Sequence, residues 1–232
     1  ARFDLSPILE ALRKRVPKAR AAEAEAFARG FYQRMTRDEY AEHGAEGWAA
    51  LAAGMLDFAG TRKAGKANVR LFNTTAKEHG WESPHTVLQI LNDDMPFLVD
   101  SVTMALADMG IGVHVLGHPV VALARDKAGK LTGVGEGTSE SYLHVEIDRQ
   151  PQDALAKIEK RVRAVLSDVR AIVVDWEQMR DRMLEVAEEL PAHNIPVSEA
   201  GRAEAQEFLR WAADNHFTFL GYREYTVEKR GK

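Results

Sequence analysis

No cysteine occurs among the 232 residues. Disulfides, thiolate nucleophiles and cysteine-based zinc sites are therefore excluded. No apolar run approaches the roughly 20 residues of a membrane-spanning helix. An excess of basic charge is also missing: 31 Lys and Arg stand against 35 Asp and Glu, a formal net charge of -4 at pH 7. That balance argues against nucleic-acid and anionic-membrane partners, which both want basic patches. The opening residues Ala1, Arg2, Phe3 and Asp4 lack the apolar core of a signal peptide, so a cytoplasmic location is expected. Glycine-rich nucleotide motifs are absent too. Gly110-Ile111-Gly112 has Val115 where a third glycine belongs, and Gly133-Val134-Gly135 has Thr138 there. Neither fits the strand-to-helix G-x-G-x-x-G fingerprint, and no phosphate-cradling G-x-x-x-x-G-K-[ST] loop occurs.

What is present is ordinary for a globular protein: 45% hydrophobic and 28% charged residues, enough for one or two domains with a sizeable core. The most organised stretch is 85–124. Residues 85–91 are β-branched and apolar, which predicts a strand. Asn92, Asp93 and Asp94 interrupt it with turn and cap formers. Pro96 suits a first helical turn. Leu98, Val102, Ala105 and Met109 then repeat at helical spacing. Gly110 and Gly112 end the helix, and 113–124 is a second β-rich run.

Before this unit the pattern is helical. Residues 5–16 place Ile8, Leu9 and Leu12 on one side. Residues 21–35 are alanine-rich with Phe27 and Phe31 four apart. Thr36 to Glu39 forms a capping-box pattern. Residues 44–58 carry Trp48, Leu51, Met55 and Phe58 at spacings of three or four, a core stripe. Residues 59–68 read as a linker and 69–73 as an edge strand.

After the unit, residues 126–130 form a turn between strands, and Gly133, Gly135 and Gly137 a flexible loop. Residues 141–147 alternate, with Leu143, Val145 and Ile147 on one side and Tyr142, His144 and Glu146 on the other, which predicts a half-buried strand. From Leu155 to Leu190 apolar residues recur every three or four positions. This predicts one long helix or two collinear ones, with Ile172-Val173-Val174 open to a strand reading. Ser198 is a candidate N-cap for a helix to about 213, and 217–227 reads as a strand.

Strand, helix, strand, strand, helix is most of the βαββαβ unit of ferredoxin-like domains. Residues 92–113 resemble an ACT domain, a small-molecule-sensing module of that shape, through Asp94, Pro96, Leu98, Val102, Leu106, Gly110 and Val113. A closer resemblance is to the N-terminal region of the large bacterial NAD-specific glutamate dehydrogenases. It is carried by residues 69–73, 79–86, 93–102, 118–120, 140–141, 146–149 and 217–225. In that family the parent enzyme converts L-glutamate and NAD to 2-oxoglutarate, ammonia and NADH. The catalytic domain lies far downstream of the part resembled here.

The resemblance implies an α+β fold: an ACT-like ferredoxin-like βαββαβ domain at 66–168. An N-terminal helical segment (1–65) precedes it. A helical extension (169–215) follows, then a strand at 216–232 that closes the domain or starts the next. It implies a non-catalytic regulatory or oligomerisation region, with no catalytic, cofactor or metal residues and NAD confined to the parent enzyme. Expected partners are other domains of the parent chain, further copies of the chain and, in an alternative reading, an amino-acid effector. The candidate effector or interface turns are Asp93, Asp94, Met95, Pro96 and Phe97, with Gly110 and Gly112. For Asp94, helix capping explains the residue type without a ligand. Ligand-binding ACT domains usually carry glycine where Phe97 stands and asparagine where Gly112 stands, which disfavours a working effector site. His114, His118 and His144 sit on strands, but Gly117 and Pro119 suggest a bulge between them, and no metal site is expected.

Overall fold

The computed structural model describes residues 4–33, 37–192 and 196–225. The chain divides into two compact units, Ala1–Ser167 and Asp168–Lys232.

In the first unit, α1 (Ser6–Arg15) and α2 (Ala21–Phe31) bury the predicted apolar stripes, Ile8, Leu9 and Leu12 on one and Phe27 and Phe31 on the other. Helix α3 (Arg37–Phe58) is broken at Gly44, whose φ of 62° and ψ of -174° are non-helical. The Thr36 end of the expected capping box lies outside the described residues.

Strands β1 (Asn68–Asn73), β2 (Thr86–Asp93), β3 (Val113–Gly117), β4 (Val120–Arg125), β5 (Leu131–Val134) and β6 (Thr138–Ile147) form one sheet. A one-turn helix, α4 (Ala76–His79), lies between β1 and β2. The ladder order is β1-β2-β6-β4-β5, with β3 also paired to β6, and every pairing is antiparallel. Strands β3 and β4 share one edge of β6, interrupted at His118-Pro119, because proline cannot donate to a ladder. In a βαββαβ unit the last strand lies beside the first. Here that place beside β2 belongs to β1, which precedes it in sequence. Residues 217–225 form no strand, and 226–232 lie outside the described residues.

Helix α5 (Leu98–Asp108) buries Leu98, Val102, Ala105 and Leu106. It ends as the glycine predicts. Gly110 takes φ 71° and the Ile111 N–H reaches back to the Leu106 carbonyl at 3.0 Å, a Schellman closure. Helix α6 runs unbroken over Leu155–Glu189, so the β-branched run at 172–174 is helical.

The sheet is covered on both faces. Leu88, Ile90, Leu143, Val145 and Ile147 point to one side and are fully buried. There α5 and the start of α6 supply Leu98, Val102, Leu155, Ile158 and Val162. The residues of opposite parity, Val87, Leu91 and Tyr142, join α1, α2 and α3 in one core. The expectation of a half-buried β6 is thus corrected: Tyr142, His144 and Glu146 are buried as well, because the N-terminal helices roof the second face. Residues 59–68 are likewise tied to the sheet. Thr61 bridges Lys130 and the Arg62 N–H bonds the Gly129 carbonyl at 2.9 Å. Gly133 lies within β5 instead of in a loop.

The second unit contains the remainder of α6 and α7 (Glu199–Trp211). Ser198 caps α7 as predicted, its hydroxyl accepting from the Gly201 N–H at 3.1 Å. The Gln206 amide donates to the Ala187 carbonyl at 2.8 Å, so α7 folds back on the end of α6.

Candidate functional site

The two predicted turns lie at opposite ends of α5. The 11-residue helix α5 lies between them, roughly 16 Å at 1.5 Å per residue. The pairing of Asp93 with Glu140, and of Val113 with Ile147, puts them at opposite ends of β6 as well. Within one copy of the chain they do not form a single pocket.

At the first turn the acidic side chains are already engaged. Arg62 Nη2 meets Asp93 Oδ1 at 2.6 Å, and Arg62 Nε donates to Glu140 Oε2 at 3.0 Å. Arg125 grips the same Glu140 with Nε at 2.6 Å and Nη2 at 2.9 Å. Burial would push the Glu140 carboxyl up, but the hydrogen bonds from Arg125 and Arg62 outweigh it and hold the group below the usual carboxylate range. Asp94 Oδ1 accepts the Ser141 hydroxyl at 2.6 Å. Because that hydroxyl spends its hydrogen on Asp94, its oxygen accepts from His118 Nε2 at 3.1 Å. Burial lowers the His118 pKa, and Asp94 partly offsets this.

Asp94 does not cap α5. The N-cap is Phe97, which has no side-chain cap bond and adopts φ 68°, ψ 1°. A phenylalanine therefore holds the left-handed backbone that glycine adopts at least cost. Its ring does not enter the core, being 44% exposed. Met95 is half-buried and Pro96 exposed beside it.

At the second turn the Gly112 N–H donates to Asp148 Oδ2 at 2.6 Å, and a Cβ on Gly112 would stand 2.9 Å from that oxygen. An asparagine at this position would require the Asp148 carboxylate to move off the Gly112 N–H. Asp148 Oδ1 faces His114 Nε2 at 2.7 Å, and the His114 ring stacks on His85 at 4.1 Å. The bonds from His114 and the Gly112 backbone keep the Asp148 carboxyl below its ordinary value. Gly110-Ile111-Gly112 leaves a helix and enters a strand, the reverse of a dinucleotide-binding turn, so these residues do not fit NAD.

Beneath the helical roof lies a polar group that the sequence pattern did not reveal. Glu146 is buried, with Oε1 facing His144 Nε2 at 3.4 Å and His43 Nε2 at 3.7 Å. Its Oε2 faces His85 Nδ1 at 3.2 Å and accepts the Ser83 hydroxyl. Burial would raise this carboxyl, but hydrogen bonds from His144, His43 and Ser83 prevail and depress it strongly. His114, His118 and His144 therefore go to three different partners: Asp148, Ser141, and Glu146 with Gln89. The signal available in sequence was His144 and Glu146, two residues apart and so on one strand face. Nothing in it indicated that His43 and His85 would arrive from elsewhere.

The first unit is an ACT-like α+β domain: an antiparallel sheet with crossover helices on one face, here carrying a helical roof on the other. Residues 27–162 match the family described as Glutamate dehydrogenase, ACT1 domain. The chain belongs to that family. It is 36% identical over 239 residues to the NAD-specific glutamate dehydrogenase of Halomonas elongata, covering 99% of this chain and 15% of that protein. The Pseudomonas aeruginosa NAD-specific glutamate dehydrogenase is 38% identical over 167 residues, covering 68% of this chain and 10% of that protein. The Mycobacterium tuberculosis protein of the same name is 30% identical over 149 residues, 60% of this chain and 9% of that protein. The chain thus spans at most about a seventh of the curated relatives it matches.

Proposed function

We propose that this chain is a non-catalytic N-terminal region of an NAD-specific glutamate dehydrogenase. In this reading it serves assembly with other domains of that enzyme and with further copies of itself, and does not sense an amino acid. The longer enzyme would convert L-glutamate and NAD to 2-oxoglutarate, ammonia and NADH in the cytoplasm, with NAD bound elsewhere in the chain.

The observation that supports this best is the state of the turn at 93–97. An amino-acid effector needs an unspent carboxylate for its ammonium group and a bare backbone to approach. Asp93 is engaged by Arg62, Asp94 by Ser141, and Phe97 places a side chain where glycine would leave space. Fold alone would not decide the matter.

Calorimetric and NMR titration of the 232-residue chain with a panel of amino acids tests the proposal. No saturable heat is expected up to millimolar concentration. Saturating shifts at 93–102 and 110–115 would establish the effector-sensing alternative. NADH formation from glutamate and NAD by this chain would overturn the non-catalytic assignment, and a strict monomer in light scattering at high concentration would remove self-assembly.

A further inference from the structure

Gln89 and His144 are cross-strand partners in the middle of the sheet, and Arg70 is the partner of Gln89 on its other side. Arg70 Nε donates to Gln89 Oε1 at 2.7 Å. Arginine has only donors, so this contact fixes which end of the amide faces which neighbour. The Gln89 NH2 group is left facing His144 Nδ1 at 3.1 Å. An NH2 group has no lone pair to offer, so His144 Nδ1 must be the acceptor. His144 is therefore a neutral imidazole with its proton on Nε2, aimed at Glu146 Oε1. Gln89 cannot turn over to suit a protonated ring, because its oxygen is held by Arg70. The Arg70 guanidinium is itself clamped between the Phe58 and Phe72 rings, 4.5 and 5.2 Å from their centroids, and bonded to the Gly54 carbonyl.

We propose that the chain Arg70–Gln89–His144–Glu146 is a proton-operated latch, holding the kinked helix α3 on the sheet only while His144 is neutral. The connection to α3 is His43, next to the Gly44 break. Its ring lies between Trp48 and Trp81, at 4.8 and 5.1 Å, and reaches the same Glu146 oxygen as His144. A proton on His144 Nδ1 sets two donors face to face and forces the ring off Gln89. Trp81 packs on that ring at 5.8 Å and transmits the movement to His43.

Other charges around the cluster do not relieve it. From α3, Glu46 is paired with Arg15 of α1 at 3.2 Å. From β3, His114 is matched by Asp148. In the turn before β2, Glu82 accepts the Ala76 N–H and Arg149 bonds the Ser83 carbonyl. His85 adds a third imidazole to a carboxylate that can neutralise one positive charge. Protons added to these rings on acidification therefore load the site with more positive charge than its one carboxylate can neutralise.

The test uses the 232-residue chain. Long-range proton–nitrogen NMR at pH 8 should show His144 with hydrogen on Nε2 and a bare Nδ1; hydrogen on Nδ1, or an imidazolium, overturns the proposal. With Trp176→Phe and Trp211→Phe in place, emission from Trp48 and Trp81 should step between pH 7 and 5. Over the same range amide exchange in 45–58 should rise about tenfold ahead of β2 and β6. Exchange rising equally in helix and sheet, or no step, overturns it. Gln89→Glu supplies an acceptor to a protonated His144 and should move the step at least one pH unit lower, which a merely structural glutamine would not do. An unchanged step in Gln89→Glu overturns the latch. If that variant does not fold, the tautomer measurement on the parent chain decides.

Discussion

Arg62 and Glu140 form an ion pair with almost no access to water: Arg62 Nε donates to Glu140 Oε2 at 3.0 Å, and their side chains are 2% and 0% exposed. They are 78 residues apart. The pair joins the segment after α3 to the start of β6, and Arg125 completes the charge balance with a two-pronged grip on the same carboxylate.

Removing the carboxylate should be costly. Glu140→Ala leaves Arg62 and Arg125 buried beside each other without their shared counter-charge. A loss of about 3–5 kcal/mol is expected, the usual range for breaking a buried pair from one side. Urea denaturation of the first unit's transition measures it; a loss below 1 kcal/mol would show that water reaches the site on removal.

The pH dependence follows from the direction of the carboxylate shifts. Glu140 and Glu146 both sit below their ordinary values in the folded state. As pH falls through the unfolded value, about 4.3, the unfolded chain binds protons that the folded chain refuses, so stability falls. The Glu140 contribution is fully present above about pH 5 and declines below it. Glu140→Gln should be less stable at pH 7 and show a flatter decline from pH 5 to 3. A slope equal to the parent's would mean that Glu140 is not one of the groups responsible.

Phe97 holds φ 68° with a side chain. A non-glycine residue in the left-handed region costs about 1–2 kcal/mol, and glycine returns part of that as unfolded-chain entropy. Phe97→Gly should therefore be neutral or up to about 1 kcal/mol stabilising. Phe97→Val, branched at Cβ, should lose about 1 kcal/mol or more. Chemical denaturation of the two variants side by side reads the difference. A marked loss in Phe97→Gly would instead indicate that the exposed ring makes a contact worth more than the strain.

The Tyr142 ring packs edge-on against Phe27 at 5.4 Å and Phe31 at 5.7 Å. Among the described residues its buried hydroxyl finds no hydrogen-bond partner. Burial accordingly raises the Tyr142 pKa far above the usual phenol value. Tyr142→Phe keeps the ring contacts and removes an unsatisfied polar group, so a gain of up to about 1–2 kcal/mol in stability is expected. A comparable loss would reveal a hydrogen bond on the hydroxyl.

Local chemistry was enough to place most elements. The i, i+3, i+4 stripes of Ile8, Leu9 and Leu12, of Leu98 and Val102, and of Leu155 to Leu190 define helices in any context that buries them. Gly110, Ser198 and the Asp126 turn act through their own neighbours. So do the alternating side chains of β6, whose facing Tyr142, His144 and Glu146 obey. The motif residues that place the chain in its family are likewise read one position at a time.

Tertiary structure decided what depends on elements far apart in sequence. Alternation assigns residues to two faces but cannot say that both are covered. Only the arrival of α1 to α3 buries His144 and Glu146 and brings His43 to them. A carboxylate beside proline reads as a helix cap, and only the approach of Ser141 from β6 diverts Asp94 from that role. Strand propensity marked both 69–73 and 217–227, yet the place beside β2 has a single row of unpaired backbone groups. The nearer segment took it through β1, because hydrogen-bond pairing along an edge is exclusive.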